Sequence, residues 1–251
     1  MFNAIAGGDV GVTGYQMKPV LHDVETLNGL ALNGTFDVTK LSFYAWLKAK
    51  DRYRLLGSGA AMGFGCGPML IARKPLKQAE IDRCRVVLPG RWTTAHLLFR
   101  LWAPDARHRL FAPYDKIFEA LASGRADCGV IIHESRFTFE AAGFTLMVDL
   151  GAWWEEKTGL PIPLGGIAAR KSLGEPLIEQ IEATVNKSIR RAMANPDEAL
   201  PYIRQHAQEL DDTVLRAHIR TFVNDFSLEL TARGRRAIDT LETMARAAGA
   251  I

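Results

Sequence analysis

The sequence predicts an α/β fold of two lobes joined by a hinge, with a cleft between them. Three observations carry that expectation. Short apolar runs alternate with helical patterns over the first two-thirds of the chain, which is the mark of βαβ units. From Glu175 onward the pattern is helical throughout. Two similar apolar runs, Pro68 to Arg73 and Leu164 to Arg170, each end in Ala-Arg and bracket the middle of the chain, as two crossings between lobes would. The expected division is a discontinuous lobe of residues 1–71 and 168–251, with the C-terminal helices packed on it, and a continuous lobe of residues 72–167. Gly63-Phe64-Gly65-Cys66-Gly67 suits a hinge. Proteins of this plan bind small molecules in the cleft and close around them.

In chain order, Tyr15 to Leu21 reads as a strand. Asp23 caps a helix that carries Val24, Leu27, Leu30 and Ala31 on one face and ends at Gly34. Phe36-Asp37-Val38 is a short strand leading into the loop Thr39-Lys40-Leu41-Ser42. Phe43 to Lys50 is helical, Arg52 to Leu56 extended, and Pro68 to Arg73 a strand. Arg85 to Leu88 is the next strand, Pro89-Gly90-Arg91 a turn, and Thr93 to Trp102 a helix. Pro113 opens another helix that Gly124 ends. Asp127 to Ile132, Phe144 to Leu150 and Leu164 to Arg170 follow as strands; the first is expected to be buried in a parallel sheet. Four helices are predicted after that, over Glu175–Ala194, Pro196–Glu209, Asp211–Asn224 and Thr231–Ala248, with Asn195-Pro196 as a clean stop and restart.

Composition excludes several classes. Of 251 residues, 48% are hydrophobic and 24% charged, ordinary for a soluble globular protein. The net charge of +3 arises from 31 basic and 28 acidic residues without a basic run, so no nucleic-acid partner is expected. Cys66, Cys84 and Cys128 are odd in number and lack metal-ligand spacing, which fits a reducing compartment better than a disulfide framework. No stretch reaches the roughly 20 apolar residues of a membrane span, and the N-terminus lacks a signal-peptide pattern. A cytoplasmic protein with no membrane partner is expected. Its oligomeric state is left open, a homodimer being one option.

Chemistry concentrates at strand ends, where ligands of open α/β sheets gather. Cys128 to Ile132 ends in His133-Glu134-Ser135-Arg136, which puts an imidazole where a general base is useful; a histidine there can also merely satisfy a loop carbonyl. Arg91-Trp92-Thr93-Thr94-Ala95 opens a helix, whose hydroxyls and free amides suit a carboxylate or phosphate, although plain N-capping is the commoner use. Lys40 and Ser42 suit an anionic ligand, although a solvated lysine at a helix start is the commoner outcome. Trp153-Trp154 suits either stacking on an aromatic ligand or one ring in the core and one at the surface. His22, His108, His206 and His218 lack a matching carboxylate or cysteine pattern. No His-x-x-x-His, Cys-x-x-Cys, G-x-G-x-x-G, P-loop or G-x-S-x-G motif occurs, so no metal or nucleotide cofactor is expected. A cofactor-free acid–base enzyme or a binding protein remains.

Longer motifs narrow this. Asp23-Val24-Glu25-Thr26-Leu27-Asn28, Thr39-Lys40-Leu41-Ser42, Pro89-Gly90-Arg91-Trp92-Thr93-Thr94-Ala95, Ile131-Ile132-His133-Glu134-Ser135-Arg136-Phe137-Thr138 and Asp149-Leu150-Gly151-Ala152-Trp153-Trp154-Glu155-Glu156 together resemble the 1,4-dihydroxy-6-naphthoate synthases of the futalosine route to menaquinone. Gly159-Leu160-Pro161-Ile162-Pro163-Leu164-Gly165 and His206-Ala207-Gln208-Glu209-Leu210 extend the resemblance. It implies a fold like the type II periplasmic binding proteins, in the cytoplasm. It implies a lyase that converts cyclic de-hypoxanthine futalosine to 1,4-dihydroxy-6-naphthoate and dihydroxyacetone. His133 is the implied proton acceptor; Lys40, Leu41, Ser42, Thr94 and Ala95 are the implied substrate contacts. The family begins with a strand and a Ser-Pro-Cys-Pro-Asn-Asp-Thr-type loop ahead of the segment matching Phe2-Asn3-Ala4-Ile5. On that pattern this chain is expected to lack a central first strand and an Asn/Asp-bearing wall of the site. A non-catalytic solute-binding protein of the same fold is the alternative.

Overall fold

The computed structural model describes residues 2–206 and 211–251. In chain order its elements are α1 (Asn3–Ala6), α2 (Val24–Leu32), β1 (Val38–Ser42), α3 (Phe43–Ala49), β2 (Tyr53–Leu55), β3 (Ala61–Gly63), β4 (Met69–Ala72), α4 (Gln78–Ile81), β5 (Val86–Leu88), α5 (Thr94–Trp102) and β6 (Arg109–Phe111). They continue with α6 (Ile117–Ala122), β7 (Cys128–Ile131), α7 (Ser135–Thr138), β8 (Thr145–Asp149), α8 (Leu150–Thr158), β9 (Ile162–Arg170), α9 (Glu175–Ala194), α10 (Pro196–His206), α11 (Asp212–Phe222), α12 (Asp225–Leu228) and α13 (Ala232–Ala247).

Two sheets result. In the first, the long β9 is central and pairs antiparallel with β1, β2 and β3. The second runs β6-β5-β7-β4-β8, parallel where β5 meets β6 and β7, antiparallel on both sides of β4. The expectation of parallel βαβ units therefore holds only for β5, β6 and β7, because an apolar run encodes burial and not the direction of its partner. Tyr15 to Leu21 is not a strand; Tyr15, Val20 and Leu21 are exposed in irregular chain. Thr39 to Ser42 is strand and not loop.

The C-terminal helices pack where expected: α9 and α13 lie against β9, and α11 and α12 against β3. The predicted end of the helix from Pro196 to Glu209 lies outside the described residues. By sheet membership the chain crosses between the lobes at residues 64–68 and 150–161. Expected boundaries at 71/72 and 167/168 fall inside β4 and β9, since two strands that both end in Ala-Arg belong to different sheets. One apolar core, including Phe43, Met62, Leu70, Val86, Val130 and Ile238, runs through both lobes.

At the crossings the backbones touch. A methyl group added at Gly67 would sit 2.2 Å from the Cα of Gly151. Asp149 caps α8 by accepting from the amides of Gly151 (2.8 Å) and Ala152 (3.1 Å), and Arg136 Nη1 donates to the Gly67 carbonyl at 2.7 Å.

Candidate active site

The cleft between the lobes encloses about 680 Å³, open solvent at its mouth included, a size suited to a small organic ligand. Lys40, Leu41, Ser42, Thr94, Ala95 and His133 all line it, so the structure brings together every site residue expected from the sequence. Among the described lining residues there is no Asp or Glu.

Lys40 and Ser42 reach the cleft because they alternate along β1, two residues apart on one face. Leu41 points the other way into a core with Ala31, Ala45 and Tyr53, so whatever it offers a ligand comes from its backbone. Burial pushes the Lys40 amine below its ordinary value, and among the described residues no carboxylate pairs with it. Ser42 is held by Asn28, which is fully buried: the Ser42 amide donates to Asn28 Oδ1 (2.8 Å), and Asn28 Nδ2 donates to Ser42 Oγ (3.2 Å). That hydroxyl hydrogen is left to aim at a ligand.

The threonine hydroxyls follow the commoner of the two expected uses at Thr93, and a third use at Thr94. Thr93 caps α5, accepting from the His96 amide (3.2 Å) and donating to the Gly90 carbonyl (3.0 Å). Thr94 Oγ1 donates to the Leu164 carbonyl (2.6 Å) and accepts from the Tyr44 amide (3.3 Å). Both hydroxyls serve the fold. What remains for an anion is the backbone: the first-turn amides of Thr94 and Ala95 have no partner within the helix and sit at the positive end of its dipole.

Glu25 fixes this turn from the other lobe. Its carboxylate accepts from the amides of Arg91 (2.7 Å) and Trp92 (3.1 Å), and burial raises its pKa. His96 secures the same turn, its Nδ1 donating to the Arg91 carbonyl at 2.7 Å; burial pushes it down to about 4.

His133, two residues after β7, takes a left-handed conformation, φ +58°, the one non-glycine residue with positive φ among the described residues. Burial, then Lys40, then His218 push its pKa down to about 3, so the imidazole is neutral at pH 7. Tyr114 meets it edge-on at 5.0 Å between ring centres. Of the run His133 to Arg136 only His133 lines the cleft: Glu134 hydrogen-bonds Tyr114, and Arg136 holds Gly67 and pairs with Asp149 at 3.5 Å.

Trp154 is fully buried and donates to the Pro161 carbonyl (3.1 Å), while Trp153 lies half-buried beneath Lys157. Neither lines the cleft. Sequence reading passed over His218, which α11 brings to the cleft with its ring centre 5.8 Å from that of His133. The available signal was the face of α11, where Leu215, His218, Ile219 and Phe222 recur at helical spacing. Cys66 also lines the cleft, its thiol pushed up to about 12 by burial. No cluster of three or more potential metal ligands exists among the described residues, and no described helix is long and apolar enough to cross a membrane.

Comparison with known proteins places this cleft in context. A profile of a menaquinone biosynthesis family matches residues 1–247. A 1,4-dihydroxy-6-naphthoate synthase of Thermus thermophilus is 49% identical over 237 residues, covering 93% of this chain and 85% of that protein. One from Streptomyces coelicolor is 38% identical over 257 residues, covering 100% and 90%. A crystal structure of an Archaeoglobus fulgidus protein superposes with a TM-score of 0.94 at 34% identity, over 100% of this chain and 93% of that one. The ligand-binding component of a Staphylococcus aureus ABC-type import system, at 14% identity and TM-score 0.64 over 93% of this chain and 82% of that one, shares the fold.

Proposed function

The chain belongs to the menaquinone biosynthesis family, and on that premise we propose that it acts as a 1,4-dihydroxy-6-naphthoate synthase. The reaction we infer is that of a carbon–carbon lyase: cyclic de-hypoxanthine futalosine is cleaved to the naphthoate, and dihydroxyacetone leaves. A small molecule is then the partner, the cytoplasm the location, and neither nucleic acid nor membrane is involved. One observation carries the reading: a neutral imidazole, an unpaired-for lysine and a helix start converge on one cleft without a lining carboxylate among the described residues.

Aromatisation drives such a cleavage downhill, so the protein's task is to hold the substrate and move a proton. His133 serves as general base. Lys40, the Leu41 backbone and Ser42 hold the anionic substrate on one side, and the amides of Thr94 and Ala95 on the other. A base held down to about 3 is weak while the cleft is empty. A substrate carboxylate beside Lys40 neutralises the charge that repels the imidazolium, and His133 becomes a stronger base once the substrate is in place.

The test is incubation with cyclic de-hypoxanthine futalosine, the naphthoate being read by absorbance. Product is expected from the wild type. His133→Asn, which keeps a residue tolerant of left-handed backbone, is expected to abolish turnover and leave substrate affinity within about tenfold. Normal turnover by that variant would remove His133 from its role. Tight binding by the wild type with no product would favour a non-catalytic binding protein of the same fold.

A further inference from the structure

We propose that His218 is a second substrate-contacting imidazole, which lies beside His133 and presents a ring nitrogen to a hydroxyl of the naphthalene ring system. This rests on the function proposed above. The Nδ1 atom of His218 is buried and has no hydrogen-bond partner among the described residues, although its residue lines the cleft. Buried polar atoms in folded proteins are nearly always paired, and an exception on a residue that lines a cleft calls for a partner. The ring is also held in place: Phe222, one turn further along α11, packs on it at 4.6 Å between ring centres.

The chemistry selects a hydroxyl. Burial and then Lys40 keep this imidazole neutral, its pKa pushed down to about 4, so it offers a hydrogen bond and not a charge. Lys40, beside both histidines, and the amides at the start of α5 are the groups suited to the carboxylate. A hydroxyl both donates and accepts, and therefore satisfies either tautomer of a neutral ring. The proposed product carries two hydroxyls and one carboxylate, which the two neutral imidazoles and the cationic lysine complement in kind and number.

The test uses two ligands and calorimetric titration without oxygen: 1,4-dihydroxy-6-naphthoate, and 2-naphthoate, which keeps the carboxylated rings without the hydroxyls. His218→Phe keeps the packing on Phe222 and removes the nitrogen. It is expected to weaken the dihydroxy ligand about tenfold and leave 2-naphthoate within twofold, with His218→Asn recovering part of the loss. An equal change for both ligands, or none, would overturn the assignment. Should His218→Phe melt below the assay temperature, nitrogen NMR on the wild type decides: the His218 Nδ1 resonance is expected to move with the dihydroxy ligand and not with 2-naphthoate, and equal responses would refute the idea. A wild type that binds neither ligand would sink the functional reading itself, an outcome distinct from failure at His218.

Discussion

A left-handed backbone costs an ordinary side chain about 1–2 kcal/mol, and just after β7 that cost falls on the residue proposed as the base, His133 (φ +58°). His133→Gly is expected to raise stability by about 1 kcal/mol in a denaturant melt while turnover disappears; a loss of stability would show that the backbone there is relaxed. The histidines also make stability depend on pH. In the unfolded chain they titrate near the ordinary 6.5, whereas His96, His133 and His218 are pushed down to about 4, 3 and 4. Between these values the unfolded state binds more protons, so stability is complete above pH 6.5 and is lost as the pH falls through 4 towards 3. Lys40→Met removes the charge repelling His133 and His218 and should make that fall shallower; an unchanged melting profile from pH 7 to 4 would count against the arrangement. His133 was legible because it ends a strand pattern within a long motif. Asn28 and Glu25, which position Ser42 and the Arg91–Trp92 turn, fall within a matched motif, yet their roles are tertiary: their partners lie 14 and 66 residues away along the chain.

Among the elements, strands and long helices follow the apolar pattern closely, and α9 spans Glu175–Ala194 as expected. What the pattern lacked was pairing direction and several elements, among them β3, β6, α8 and the four-residue helices, and Thr39 to Ser42 passed for loop because two polar residues on one face look like a turn. The hinge glycines were legible in composition but their purpose was not. Gly67 and Gly151 are forced to be small because two backbones meet there. Gly67→Ala drives a methyl into main chain, which cannot swing aside, and is expected to cost about 3 kcal/mol in a thermal or denaturant melt. A loss below about 0.5 kcal/mol would mean that the crossing is loose.

Across the whole molecule, the two-lobed plan was legible from two similar strands, while the boundaries expected at 71/72 and 167/168 fall inside β4 and β9. The lobes also grip each other across the cleft mouth. Glu25, on α2 against the first sheet, accepts from Arg91 and Trp92, which follow β5 of the second. Glu25→Ala should weaken naphthoate binding about tenfold, one charge-assisted pair of hydrogen bonds being worth about 1.5–3 kcal/mol, and isothermal titration against the wild type reads this directly. Unaltered affinity would show that the turn holds itself.

The central position of β9 sets an order of assembly. Val38 pairs with Ala169, and Tyr53 with Arg170, so β1, β2 and β3 have no strand to join until almost the whole middle of the chain has been made. The second sheet needs no such wait, for Met69 and Asp149 at its two ends are themselves register partners, and the segment between them closes on itself. Amides of β4, β5 and β7 should therefore gain protection in pulse-labelled refolding before those of β1 and β9. Long-range antiparallel pairing makes the first sheet the slow step, and the cleft, which needs Lys40 from one sheet and His133 from the other, comes into being only when that step is complete.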